Sequence, residues 1–352
     1  MNRTDLGALG VAVALALFLS VFATNGFLSE YNVSGIASTT SPSGMPSGAR
    51  AIIAGLASKS KNATSTKTAV ATKAPASSSE NLTLALAKLG KSLVNIVCTI
   101  NTPSGQFLTS GSGVVIDSRG VILTNAHVAQ FLLLKEGPTT TSCSIRTGSP
   151  AKAAYKGELV YISKAWIKAH PGTALSGKPS GTGEYDFALV AITGSLSGNP
   201  LPSSYPSVPL KSSPLAIKQE EVLASYGAQG LSAEQVRNAL YPTLAFGSIK
   251  SVYAFRQTFD LNAIDLIALG ANSAAQAGSS GGGVANAKGE LIALITTSKP
   301  GSNVSAITAR HIERSFREDT GIDLKQYLLS KTVAQLVADF STGAEELAMV
   351  LK

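Results

Sequence analysis

The 352 residues of the chain predict an all-β protein: two antiparallel six-stranded β-barrels, with an N-terminal transmembrane helix and short C-terminal helices. Three observations carry that expectation. Short apolar or alternating segments recur between Gly, Ser, Pro and Asp turns, and they fall into two sets of six. An uncharged N-terminal stretch is followed by a low-complexity tract that cannot belong to a core. After Thr308 the period of the apolar residues changes from that of strands to that of helices.

Taken in order, Leu6 to Ser29 carry no charge, and Leu6 to Ala23 are almost wholly apolar, with Arg3 and the amino terminus before them. About 20 apolar residues suffice for a helix to cross the hydrocarbon core, so residues 1–30 read as a signal anchor. Val21-Phe22-Ala23 offers an alternative, cleavage as a signal peptide and secretion. Either way the remainder is expected outside the cytoplasm. Residues 31–80 are dominated by Ser, Thr, Ala, Gly, Lys and Pro and read as a disordered linker, because they cannot bury enough surface to offset the entropy of ordering. A folded region is expected over 81–318, its first barrel over about 81–200 and its second over about 214–308. It opens with a short amphipathic helix carrying Leu82, Leu84, Leu86, Leu89 and Leu93. Strands follow at Val94–Ile100, Ser110–Ile116, Val121–Thr124, Ser142–Arg146, Ala153–Ile162 and Phe187–Ile192. The second set is Glu221–Tyr226, Leu244–Val252, Ala263–Ala268, Gly283–Ala285, Leu291–Thr297 and Ser305–Thr308. Residues 319–352 are too few for another globular domain and read as a helical extension packed on a barrel or on a partner.

Composition narrows the function. Hydrophobic residues make up 44% and charged residues 14%, which excludes a wholly disordered chain. The net charge of +8 is concentrated in the linker, where Arg50, Lys59, Lys61, Lys67 and Lys73 have no acid among them from Tyr31 to Ser79. No aromatic residues interleave with them, so a linker beside an anionic membrane surface fits better than a nucleic-acid surface. With three histidines and no HExxH, a metal site has little to build on, and no cofactor is expected. His170 and His311 are expected at the surface. Cys98 and Cys143 are too far apart for a metal knuckle, and could pair in an oxidising compartment.

One glycine-rich stretch suggests chemistry. Gly278-Ser279-Ser280-Gly281-Gly282-Gly283 would lift a serine on a tight turn, with neighbouring N–H groups free to converge on one point, as acyl transfer requires. A base and an orienting acid are available in Leu123-Thr124-Asn125-Ala126-His127-Val128 and Glu184-Tyr185-Asp186-Phe187-Ala188-Leu189. The order His, Asp, Ser rules out the nucleophile elbow of α/β-hydrolases, which needs Ser, acid, His and a helix after the serine.

With Gly111-Ser112-Gly113-Val114-Val115-Ile116-Asp117 ahead of the histidine motif, the chain over about 82–318 resembles the chymotrypsin-like (trypsin-fold) serine endopeptidases. It is most similar to their bacterial HtrA-type branch, here without a PDZ domain. The resemblance implies a serine endopeptidase acting on protein or peptide substrates. Ser280 would be the nucleophile, His127 the general base and acid, and Asp186 the group that fixes the imidazole, with the N–H groups of Gly278 and Ser280 as the oxyanion hole. Asp117 is expected to shape the turn before Gly120 instead. It also implies Ala274 at the base of the specificity pocket, favouring a small or apolar P1 side chain, and Thr296, Thr297 and Ser298 pairing with the substrate backbone. Cys98 and Cys143 would fall on neighbouring strands and form a disulfide. Ser279 stands where zymogen-activated members carry an acid, so activation by N-terminal cleavage is not expected. The longer polar segment Ser163–Gly183 is a lid or an insertion. The competing expectation is a catalytically weak protease-like binding or chaperone module at the cell surface.

Overall fold

The computed structural model describes residues 29–30, 78–137, 139–172, 183–256, 263–270, 273–274, 276–297 and 303–351. Residues 1–28 of the expected anchor, the linker from 31 to 77 and residues 173–182 of the 163–183 segment lie outside the described residues. Among the described residues no helix is long and apolar enough to cross a membrane.

Two barrels follow one another. The first contains β1 (Leu93–Thr102), β2 (Gly105–Asp117), β3 (Val121–Thr124), β4 (Thr140–Thr147), β5 (Lys152–Ile162) and β6 (Ala188–Ser195), closed in the order β1-β2-β3-β6-β5-β4. The second contains β7 (Glu220–Ser225), β8 (Thr243–Ala254), β9 (Leu266–Leu269), β10 (Gly283–Ala285), β11 (Leu291–Thr297) and β12 (Val304–Thr308). Its order, β7-β8-β9-β12-β11-β10, repeats the first, and β10 pairs with β7 to close it. All pairings between these strands are antiparallel.

Strands β3, β10 and β11 read as continuous apolar runs because both faces are covered. In β3, Ile122 points into the first barrel's core, while Val121 and Leu123 join a cluster shared with the second barrel. In β7 the same alternation sends Leu223 into the second barrel and Val222 and Ala224 into the shared cluster. The twin cores and the layer between them therefore come from one side-chain period of two. The helix α1 (Ser78–Ser92) caps that layer with Leu82, Ala85 and Leu89, leaving Leu84 exposed.

The short α4 (Ala233–Asn238), with its Ser232–Gln235 capping box, leads into β8. The C-terminal helices pack on the barrels. Thr308 accepts the N–H of His311 and so caps α5 (Ala309–Thr320), which is followed by α6 (Leu324–Ser330) and α7 (Val333–Leu351). α7 buries Leu336, Ala348 and Leu351 against the first barrel and the short α3 (Lys164–Ala169). Asp117 shapes its turn as expected: its carbonyl takes the Gly120 N–H at 2.9 Å, and its carboxylate takes both the N–H and the guanidinium of Arg119. The same guanidinium reaches the carbonyls of Leu328 and Lys331, tying the turn to α6. Cys98 and Cys143 are directly opposed on β1 and β4 and joined by a disulfide.

Two expectations fail here. His170 is buried, not at the surface: it stacks on Trp166 at 4.4 Å between centroids and bonds the Trp166 carbonyl through Nδ1. His311 is 1% exposed, among groups distant in sequence. Both sit in polar-looking stretches, but the indole in one case and an acid and a carbonyl in the other supply what burial of an imidazole requires.

Candidate active site

β3 ends at Thr124, and Asn125 turns the chain into the single-turn helix α2 (Ala126–Ala129), placing His127 at its start. Asp186 stands just before β6, the strand paired with β3. Strand pairing therefore brings the two together across 59 residues. The His127 N–H donates to Asp186 Oδ1 at 2.9 Å, and Nδ1 lies 2.7 Å from Oδ2. The Asn125 side chain donates to the Asp186 carbonyl at 2.8 Å, fixing the acid from behind. The carboxylate can only accept, so Nδ1 carries the proton and Nε2 presents a lone pair. Nε2 has no hydrogen-bond partner among the described residues.

The loop 276–283 is held almost atom by atom. Ser279 is fully buried and bonds Gln276 through both its N–H and its hydroxyl. The Ala277 carbonyl takes the N–H of Ala228 at 2.6 Å. Ser112, from the first barrel, donates its hydroxyl to the Gly278 carbonyl at 2.9 Å and its N–H to the Ser280 carbonyl at 2.7 Å. That hydroxyl also accepts the N–H of Tyr226 at 2.8 Å. Gly281 and Gly282 bond Ile295 from both sides. The N–H groups of Gly278 and Ser280 are left without partners among the described residues, as free donors on one loop.

The glycines are required by this path. Gly278 has φ +89°, and a Cβ there would lie 2.9 Å from the Tyr226 carbonyl. Gly281 has φ +85°, and its Cβ would lie 2.0 Å from the Ser112 carbonyl and 2.5 Å from Thr124 Oγ1. That close approach brings the loop against the strand that delivers His127.

Ser280 does not bond His127 here. Its hydroxyl donates to the carbonyl of Thr296 at 2.7 Å. Thr296 is buried, and its own hydroxyl reaches the Ser305 carbonyl at 3.2 Å. Of its expected pairing partners along the substrate strand, Thr297 ends β11 and Ser298 lies outside the described residues. Ala274 is fully buried among the core residues of the second barrel, its carbonyl accepting the Ser225 hydroxyl at 2.9 Å. It exposes no surface at the floor of a pocket.

Sequence reasoning did not assign Ser112 or Ala228, although Ser112 sits inside the Gly-Ser-Gly motif that marked the strand. Among the described residues there is no cluster of three or more His, Cys, Asp or Glu side chains able to hold a metal ion.

The family model for the trypsin-like peptidase domain matches residues 111–294, just over half of the chain. The chain belongs to that family. The trypsin-like peptidase domain so defined spans the Gly-Ser-Gly strand, His127, Asp186 and the Ser280 loop. Compared with curated proteins, the chain has no significant match.

Proposed function

We propose that this trypsin-like peptidase domain is a serine endopeptidase working through His127, Asp186 and Ser280 and a covalent acyl-enzyme. The observation that carries this reading is the pair of unpartnered N–H groups of Gly278 and Ser280, on the loop that also bears the hydroxyl. Ser280 Oγ attacks the substrate carbonyl while His127 Nε2 takes its proton. The oxyanion forms against the Gly278 and Ser280 N–H groups. The imidazolium returns the proton to the leaving amine, which departs as the C–N bond breaks. Water, deprotonated by His127, then hydrolyses the acyl-enzyme and restores Ser280. Asp186 holds the Nδ1–H and stabilises the charged imidazole during both halves.

The Gly111-Ser112-Gly113 strand followed by Leu123-Thr124-Asn125-Ala126-His127-Val128 supports placement near the HtrA-type branch. The uncharged stretch Leu6–Ser29 and the basic tract after it support an extracytoplasmic domain tethered to a membrane by one N-terminal helix. The second reading, a protease-like binding or chaperone module, is favoured by the Ser280 hydroxyl being committed to Thr296.

A fluorophosphonate probe separates the two readings. The native protein is expected to label, and Ser280→Ala and His127→Ala to lose labelling. No labelling of the native protein, or labelling that survives Ser280→Ala, would overturn the peptidase reading.

A further inference from the structure

His311 lies in the first turn of α5, 1% exposed, where the chain leaves the second barrel. Its Nε2 donates to the carbonyl of Glu184, two residues before Asp186, with the Ser315 hydroxyl 3.2 Å from the same nitrogen. Its Nδ1 accepts from Arg314 Nη2 at 3.0 Å. Asp265, also 1% exposed, stands 3.4 Å from Nδ1, and its Oδ1 takes the same Arg314 nitrogen at 2.7 Å. Asp265 is itself fixed: Oδ2 accepts the Phe255 N–H at 2.9 Å, its N–H donates to Tyr253, and its carbonyl accepts from Thr308. A carbonyl can only accept and a guanidinium can only donate. Nε2 therefore carries a proton toward the Glu184 carbonyl, and Arg314 bridges Nδ1 and the Asp265 carboxylate.

This arrangement reaches the acid of the site. The segment 183–187 is irregular backbone, and its own bonds are the Asp186 N–H to the Gly183 carbonyl at 3.2 Å and the Phe187 N–H to the Tyr185 carbonyl at 2.9 Å. Asn125 and His127 hold it from the first barrel. His311 holds it from the second.

We propose that His311 is a positioning residue for Asp186: by anchoring the Glu184 carbonyl to the second barrel, it sets where the Asp186 carboxylate meets His127. The proposal rests on the role given to Asp186 above. It makes the His127–Asp186 contact depend on a second, buried His–Asp pair that touches neither substrate nor reacting atoms.

The test uses the full chain and two readouts. The first needs no substrate: the low-field proton resonance of the His127 Nδ1–H shared with Asp186, assigned by its loss in His127→Ala. It is expected to persist in His311→Gln, whose amide nitrogen can replace Nε2 as donor, and to broaden or shift in His311→Phe, which fills the space without a donor. The second is turnover. In His311→Phe kcat is expected to fall about 10²-fold, the scale of an ångström-level misplacement, with KM little changed and with His311→Gln restoring most of the loss. A folded His311→Phe with native resonance and native kcat overturns the proposal. If His311→Phe does not fold, His311→Met, flexible and without a donor, takes its place; an unchanged resonance there overturns the proposal equally. A native protein that shows the expected resonance behaviour but takes no fluorophosphonate label defeats the peptidase reading and leaves the anchoring intact.

Discussion

The hydroxyl of Ser280 and the carbonyl of Thr296 are joined by a 2.7 Å hydrogen bond. Thr296 is one of the three residues that the family resemblance assigns to pairing with the substrate backbone. A bound peptide whose main-chain N–H takes that carbonyl would therefore free the hydroxyl to turn toward His127. Peptide substrates N-methylated at that N–H are expected to lose about tenfold in kcat, the worth of one hydrogen bond, beyond any rise in KM. Steady-state kinetics on matched peptides check this, and equal kcat values would count against it.

Ser112 holds the loop through two hydrogen bonds, hydroxyl to the Gly278 carbonyl and N–H to the Ser280 carbonyl, while its hydroxyl accepts the Tyr226 N–H. Ser112→Ala leaves the Gly278 carbonyl and the Tyr226 N–H without partners. A loss of about 1–3 kcal/mol in stability is expected. A fall of about 10²-fold in kcat should accompany it, comparable to losing an oxyanion donor. Denaturant unfolding and kinetics on the same sample separate the two effects. Unchanged kcat in a destabilised variant would show that the loop keeps its shape without this clamp.

Glu221 is fully buried at the start of β7, on the face shared with Leu223, and among the described residues neither of its oxygens meets a partner at good hydrogen-bond geometry. Burial pushes its pKa up to about 8, with Gln219 opposing the shift. The folded state thus keeps a proton that the unfolded chain gives up near pH 4.5. Stability from this group is complete below about pH 4.5 and drains away as pH rises toward 8, by on the order of 1 kcal/mol per pH unit. Glu221→Met should flatten that slope and raise stability most at pH 8. Thermal unfolding across pH 5–9 reads both changes; a native slope in the variant would rule out Glu221 as the source.

The disulfide closes 45 residues and packs with Ile96, Val128 and Phe131, directly beneath the turn that carries His127. Reduction, or replacement of both cysteines by Ala, should cost about 4 kcal/mol by the loop-entropy relation. Activity at a temperature below the shifted transition should fall less than stability does, because Asn125 and Asp186 hold His127 independently. Melting with and without reductant tests the first expectation, and activity at low temperature the second.

The strands were legible because β3, β7, β10 and β11 bury both faces and are bounded by turn residues; β10 and β11 match the expected limits residue for residue. The early part of β2, Gly105 to Thr109, went unread because it is an exposed hairpin arm with no apolar pattern to betray it. The short α3 hides in a segment whose polarity reads as loop, and only its buried Trp166 and Ile167 mark it as packed. His127, Asp186 and Ser280 stand out through local motifs. His311 does not, because its partners Glu184 and Asp265 lie 127 and 46 positions away and form no pattern along the chain. The Ser280–Thr296 bond is a rotamer choice, which no spacing encodes.

Ser112 and Gly278 are separated by 166 residues, and that distance sets a clock. During synthesis the strand bearing His127 emerges, and can close its barrel, long before the Ser280 loop exists. The loop in turn gains its clamp only when the finished second barrel docks against the first. Contacts so distant in sequence form late. The loop therefore takes the shape that leaves the Gly278 and Ser280 N–H groups free only after both barrels have been made and packed together.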